Sequence, residues 1–305
     1  MRVVTLRRGL GLAGVGVLAA IIALPPTAAA AHPASALLAQ PVLGLGRLDA
    51  VMKDRLGRVW QAGQQLGRRA TVLAKVGDSI TASGLFLSDA GNGNAVLGAH
   101  PELAAILAYY RKVRVDTAAG VAHNSLNRRS LAARAGYTAF QLYGPTVSPL
   151  HMEYSAINPA VAVIMIGSND IDEMEAAEFR PDLAGVVATT LQAGIIPILS
   201  TIPDRSDSPR TIGRMAAFNA VIRDEAAAEH LPLIDYWAAL QPLPNRGIGA
   251  DSLHPTVYPA PRGAQGAVTF TERGLHYGWD LRNYLTLQML ARVRAVVFAD
   301  GPPDP

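Results

Sequence analysis

Residues Ala160–Ile166 read AVAVIMI, an unbroken apolar run closed by Gly167. A strand with one wet face alternates apolar and polar residues. Continuous apolarity over strand length marks burial on both faces, as in a parallel sheet covered by helices. Outward from this run, Thr71–Val76 (TVLAKV) is a β-branched stretch that also stops at a glycine, Gly77. Ile195–Ile202 (IIPILSTI) and Leu231–Asp235 (LPLID) read as two further strands, the first weakened by Pro197 if it is central. Helical patterns fall at Asp49–Arg69, Pro101–Lys112, Arg180–Ala193, Gly213–His230 and Leu281–Ala299. Strands alternating with helices predict βαβ crossovers and an α/β fold with a doubly wound parallel sheet. Pro242–Gly278 is rich in Gly and Pro and lacks periodicity, so it reads as a long loop. Loops of that length in compact domains are usually functional.

Composition narrows the chemistry. Of 305 residues, 50% are hydrophobic and 17% charged, which excludes a disordered chain and supplies ample core. The absence of cysteine excludes disulfides, thiolate metal sites and a cysteine nucleophile. A net charge of +3 hints at nucleic acid, but Arg2, Arg7 and Arg8 lie in an opening segment that holds no acid. Beyond Ala31 there are 24 basic and 24 acidic residues, so no nucleic-acid partner is expected.

The opening segment reads as an address. Three arginines in Met1–Arg8 precede an uncharged Gly9–Leu24, a Pro25-Pro26 break and Ala-x-Ala sites ending at Ala30 or Ala31. That is the layout of a secretory signal, with an uncleaved N-terminal anchor as the alternative. Arg7-Arg8 leaves a twin-arginine route open. The expected organisation is a signal at 1–31, a lead-in with one helix at 32–70, one α/β domain at 71–299 and a tail at 300–305. The mature protein is expected outside the cytoplasm, with no stable membrane span. Gly9-Leu10-Gly11-Leu12-Ala13-Gly14 matches the dinucleotide pattern, but nothing strand-like precedes it, so the match is coincidental.

In an open parallel sheet, ligands bind beyond the carboxyl ends of the strands. Gly77-Asp78-Ser79-Ile80 follows the first strand, and Gly167-Ser168-Asn169-Asp170 follows the AVAVIMI strand. The long loop after the last strand carries Asp251-Ser252-Leu253-His254-Pro255. This is the set acyl transfer needs. A serine hydroxyl is a weak nucleophile until an imidazole takes its proton, and the imidazole needs a carboxylate to fix its tautomer. Backbone N–H groups and an asparagine amide can hold the oxyanion of the tetrahedral intermediate. Asp251 and His254 are three apart, close enough in a tight turn for one to orient the other.

In order and placement these residues resemble the SGNH hydrolases, also called GDSL esterases and lipases, over roughly Thr71 to Ala299. The resemblance implies a flavodoxin-like three-layer α/β/α sandwich and ester hydrolysis without metal or cofactor. It further implies Ser79 as nucleophile, His254 as base and Asp251 as its orienting acid. The Ala133-Arg134-Ala135-Gly136-Tyr137-Thr138 stretch aligns with the family's second block at Gly136 and Thr138, while two small residues of that block are alanine here. Gly136 is thus expected to join the Ser79 N–H and the Asn169 side chain in the oxyanion hole. The expected substrate is a small-molecule or polymer-borne ester, lipid or acetylated sugar. An acyltransferase with the same site, or a non-catalytic glycan- or lipid-binding module, is the alternative.

Other candidates rank lower. His276 lacks an acid three positions before it, where Arg273 stands. Asp78 and Asp170 are expected to bond loop backbone. Asp170, Asp172, Glu173 and Glu175 lack a calcium-loop pattern and read as a solvated loop. Arg128, Arg129 and Arg134 are expected to form ordinary surface salt bridges. The long interval from Ser79 to Gly136, with Ser88–Ala99 inside it, is expected to wall the substrate pocket or form a lid.

Overall fold

A computed structural model describes residues 42–118, 120–144, 148–259 and 267–298, all within one compact unit, Pro33–Pro305. The signal expected at 1–31 and the tail at 300–305 lie outside the described residues. The first strand of the sheet, β1 (Arg69–Gly77), is followed by an antiparallel hairpin, β2 (Arg114–Ala118) and β3 (Val121–Asn124). Then come β4 (Pro159–Met165), β5 (Ile196–Ser200) and β6 (Leu233–Ile234). β1, β4, β5 and β6 form a parallel sheet in that order. On the other side of β1, Gly77 pairs with Ala133 through a single parallel bridge. The chain therefore winds away from β1 in both directions, with the outer strand on one side reduced to one bridge. The hairpin was not foreseen, because its short strands carry no clear alternation.

Among the described residues, six helices longer than two turns cover the sheet. α1 (Ala50–Gln65), α2 (Leu103–Arg111), α3 (Pro149–Ile157), α4 (Ala176–Gln192), α5 (Met215–Ala228) and α6 (Gly278–Val293) alternate with its strands. α4 packs on α5 and β5, while α6 packs on α2 and β6. The result is a mixed α/β fold with helices flanking a parallel sheet, as the sequence pattern predicts. β4 and β5 are buried at every position, which is why AVAVIMI can be apolar throughout. β1 is nearly as dry and yet carries Lys75, whose ammonium donates to the Leu126 carbonyl at 2.9 Å.

One boundary and one strand position differ from expectation for physical reasons. α4 begins at Ala176 rather than Arg180, because Glu175 and Glu178 form a reciprocal capping box, and Pro181 is carried inside the helix. Pro197 sits in an inner strand after all. β6 joins β5 only from Leu199 onward, so no strand lies beside the proline on that flank. Among the described residues, no helix is long and apolar enough to cross a membrane.

Gly77 ends β1 with φ of +153°, and a Cβ there would run into the Met165 carbonyl oxygen and the Thr81 side chain. Gly77→Ala is expected to cost about 3 kcal/mol by overpacking at rigid backbone. A fall in Tm of several degrees in a thermal melt would show this; an unchanged Tm would not fit the close approach.

Candidate active site

The carboxyl ends of β1 and β4 and the long loop after β6 converge on one point. Asp78 caps the short helical turn Ser79–Ala82, its Oδ1 accepting from the Ile80 N–H at 3.0 Å. Ser79 is thus the first residue of the turn, where an N–H has no intrahelical acceptor. Its Oγ lies 3.1 Å from His254 Nε2, and His254 Nδ1 lies 2.7 Å from Asp251 Oδ2. Asp251 Oδ1 also accepts from the backbone N–H groups of His254 at 2.9 Å and Leu253 at 3.1 Å. One carboxylate therefore shapes the turn and orients the ring. Burial alone would raise the Asp251 carboxyl, but these bonds from His254 and Leu253 outweigh it and hold the group below its ordinary value.

Asn169 donates one amide hydrogen to the Tyr137 carbonyl at 2.9 Å, which ties the loop after β4 to the stretch holding Gly136 and leaves a second hydrogen to give. Gly136 has φ of +86°, a backbone conformation that favours glycine, although a Cβ there would meet open space. The Arg134 N–H bonds the Gly77 carbonyl at 3.1 Å, which holds this stretch beside the serine turn.

Asp78 and Asp170 bond loop backbone as expected, Asp170 Oδ1 accepting from the Ala139 N–H at 2.9 Å. Both are fully buried. Burial pushes the Asp170 carboxyl up to about 7, and the Asp78 charge adds to the rise. Burial likewise raises Asp78 against the opposing pull of the Ile80 N–H and the Arg282 guanidinium. An unfolded aspartate ionises near pH 4 (about 3.9), so Asp170 costs stability as pH rises from there toward 7. Asp170→Asn keeps the acceptor for Ala139. Its Tm relative to the parent chain is expected to climb between pH 4.5 and 7.5; a constant difference would mean that Asp170 does not titrate late.

The strand-end rule missed two arginines. Arg205, just beyond β5, donates to the Ser168 carbonyl and to Asp172 and Asp207, so it braces the loop carrying Asn169. The Ser206 N–H then bonds the Ser252 carbonyl at 3.0 Å, joining that brace to the Asp251–His254 turn. For Arg205, its place after a strand was the available signal. Arg282 in α6 gave none. Only 2% exposed, it donates to the Ile80 carbonyl at 2.6 Å and to Thr81 Oγ1 at 2.9 Å, with its guanidinium carbon 3.7 Å from the Phe86 ring centroid. It clamps the serine turn from below, and desolvation lowers its pKa to about 10.

The expectations for Arg128 and Arg134 need correction. Arg128 makes no ordinary surface pair: it is buried and bridges Asp116 and Glu153, the latter also buried. Arg134 lies against the Tyr137 ring with no carboxylate partner among the described residues. Of the interval from Ser79 to Gly136, Ser83 and Leu85 line the cleft, whereas Val96 bridges Thr269 and holds Ser88–Ala99 against the chain before α6. His276 is exposed in a short turn, Gly274–His276, and it is His254 that bonds Ser79. Asp172 and Glu175 pair with Arg205 and Arg214, and no acidic or histidine cluster among the described residues is fit to hold a metal.

A cleft of about 620 Å³ opens beside Ser79 and His254. Ser79, His254 and Asp251 thus stand in one hydrogen-bonded line at the carboxyl edge of the parallel sheet. The family model described as the GDSL-like Lipase/Acylhydrolase family matches residues 76–258, and the chain belongs to that family. It is accordingly a carboxylic ester hydrolase by class. Among solved structures it is similar to a lipase/acylhydrolase from Enterococcus faecalis, at 22% identity over 72% of this chain and 94% of that one, TM-score 0.47. It is also similar to a GDSL-like lipase from Bacteroides thetaiotaomicron, at 16% identity over 78% and 98%, TM-score 0.42. An acetylxylan esterase from Geobacillus stearothermophilus shares 18% identity over 72% and 93%, TM-score 0.43. No protein curated for function matches the sequence.

Proposed function

We propose that the chain is an exported serine esterase in which Ser79 is the nucleophile, His254 the general base and acid, and Asp251 the orienting carboxylate. The observation that carries this reading is the unbroken line from Ser79 Oγ to His254 at 3.1 Å and on to Asp251 at 2.7 Å. Ser79 Oγ bonds to the ester carbonyl carbon while its proton passes to His254 Nε2, and the carbonyl electron pair moves onto oxygen. The Ser79 and Gly136 N–H groups and the Asn169 amide hold that oxyanion. Collapse breaks the bond to the alcohol oxygen, which takes the proton from Nε2. Water then attacks the acyl-serine, gives its proton to His254, and Ser79 leaves with it. The charged start and apolar middle of residues 1–31 support export.

The test is hydrolysis of p-nitrophenyl esters from acetate to palmitate by residues 32–305, beside Ser79→Ala. Turnover that needs Ser79 supports the reading; turnover that survives the substitution, or well-folded protein inert to every ester and to a fluorophosphonate, overturns it. Asp251→Asn removes the carboxylate that fixes the imidazole. At a buried site this costs about 10⁴-fold in kcat. Asp251 is 53% exposed at its side chain, so water softens the loss to an expected 10²–10³-fold, roughly, read from kcat at saturating substrate.

A further inference from the structure

We infer that the cleft beside His254 receives the alcohol half of the ester, and that the alcohol it suits is bulky, apolar and uncharged. This deepens the esterase reading and rests on Ser79 and His254 acting as described.

A tetrahedral carbon on Ser79 Oγ has three other directions. The oxyanion faces its donors, Gly136 and Asn169. The alcohol oxygen must lie within hydrogen-bond reach of His254 Nε2, because that atom supplies its proton. The acyl chain takes the remaining direction. The cleft is continuous with the histidine loop: His254, Thr256 and Val257 form one wall, and Leu85, Tyr277 and Trp279 form much of the rest. Neither Gly136 nor Asn169 lines it. It therefore extends from the side of the serine where the leaving oxygen departs.

Its chemistry defines the occupant. Leucine, valine and tyrosine surfaces favour alkyl or aryl groups, and the volume exceeds what a short alcohol fills. Among the described residues, no lysine or arginine lines the cleft, and the Asp251 carboxylate stands at its margin. A phosphorylated or otherwise anionic alcohol would meet repulsion without a counter-charge.

Two ester series separate the alternatives. In the first the acyl group stays acetyl while the alcohol grows from ethyl to butyl, hexyl and benzyl. In the second the alcohol stays ethyl while the acyl chain grows from acetyl to hexanoyl. A buried methylene is worth roughly four-fold in binding. The hexyl-to-ethyl ratio of kcat/KM in the acetate series is expected to exceed about tenfold, with a weaker trend in the acyl series. Val257 is 45% exposed, so Val257→Asp leaves the core intact while placing a charge on the cleft wall. In this variant the alcohol ratio is expected to fall toward one, and the acyl ratio to stay at its parent value. A flat alcohol series beside a steep acyl series would overturn the inference and assign the cleft to the acyl chain. So would an acyl ratio that collapses in Val257→Asp while the alcohol ratio holds. The two series on the parent chain decide the matter even if the variant folds poorly. Absence of Ser79-dependent turnover on every ester would overturn the esterase reading itself, and the inference with it.

Discussion

Ser79→Ala is expected to lower kcat by roughly 10⁵–10⁶-fold and to abolish labelling by a fluorophosphonate. The size of the loss follows from the line of hydrogen bonds: serine and histidine act as one unit, so removing the first leaves the second with nothing to deprotonate. The remaining activity is not expected to reach zero. The Ser79 backbone N–H survives the substitution, as do Gly136 and the Asn169 amide, and such donors alone keep about 10³–10⁴-fold over water. The alanine side chain still fits, because the turn is held by the Asp78 cap and not by the hydroxyl. Tm should therefore change little. A large drop in Tm would signal that lost activity reflects lost structure, and an intact-mass adduct on the variant would assign the nucleophile elsewhere.

Arg282→Met is the second large effect, and it falls on stability first. The guanidinium is buried, bonded to Ile80 and Thr81, and faces the buried Asp78 carboxylate. Removing one member of such an arrangement leaves the other uncompensated and costs about 3–5 kcal/mol. A second consequence separates positioning from mere scaffolding. The turn that Arg282 clamps holds Ser79, and a misplacement of about 1 Å can cost 10²-fold in rate. In the folded fraction kcat is expected to fall by about that factor with KM little changed. Arg282→Lys should recover part of the stability, but it lacks the planar fork that reaches two acceptors and stacks on Phe86, so kcat stays low. Equal loss in kcat and KM, or full recovery by lysine, would reduce Arg282 to a buried counter-charge.

Much of the parallel sheet was legible because dryness leaves a mark. AVAVIMI has no polar member, and the glycines that end it and TVLAKV point to turns. Ser79, Asn169, Asp251 and His254 follow strands or lie in the long loop, which is where the strand-end rule points. What escaped is what depends on distant partners. The hairpin β2–β3 is short and its faces are unequal, so no period of two stands out. Arg282 lies in a helix buried almost all round, in a run that also holds Asp280, Asn283, Gln288 and Arg292. Local patterning treats such residues as a wet face, and only the fold reveals that each has an internal partner. The interval between Ser79 and Gly136 divides: Ser83 and Leu85 line the cleft while Val96 turns away to meet Thr269, a division that its length alone does not fix.

The clamp between Ile80 and Arg282 spans 202 positions, nearly the whole length of the domain. Synthesis runs from the amino end at roughly 5–20 residues per second, so the serine turn emerges some 10–40 s (roughly) before the arginine that fixes it exists. Through that interval β1 and its turn can form only provisionally. The turn holding Ser79 is among the first parts of the domain to be made and among the last to be set. On the proposed mechanism, competence arrives with α6, and a nascent chain stalled short of it carries Ser79, Asp251 and His254 without the guanidinium that holds the serine turn in place.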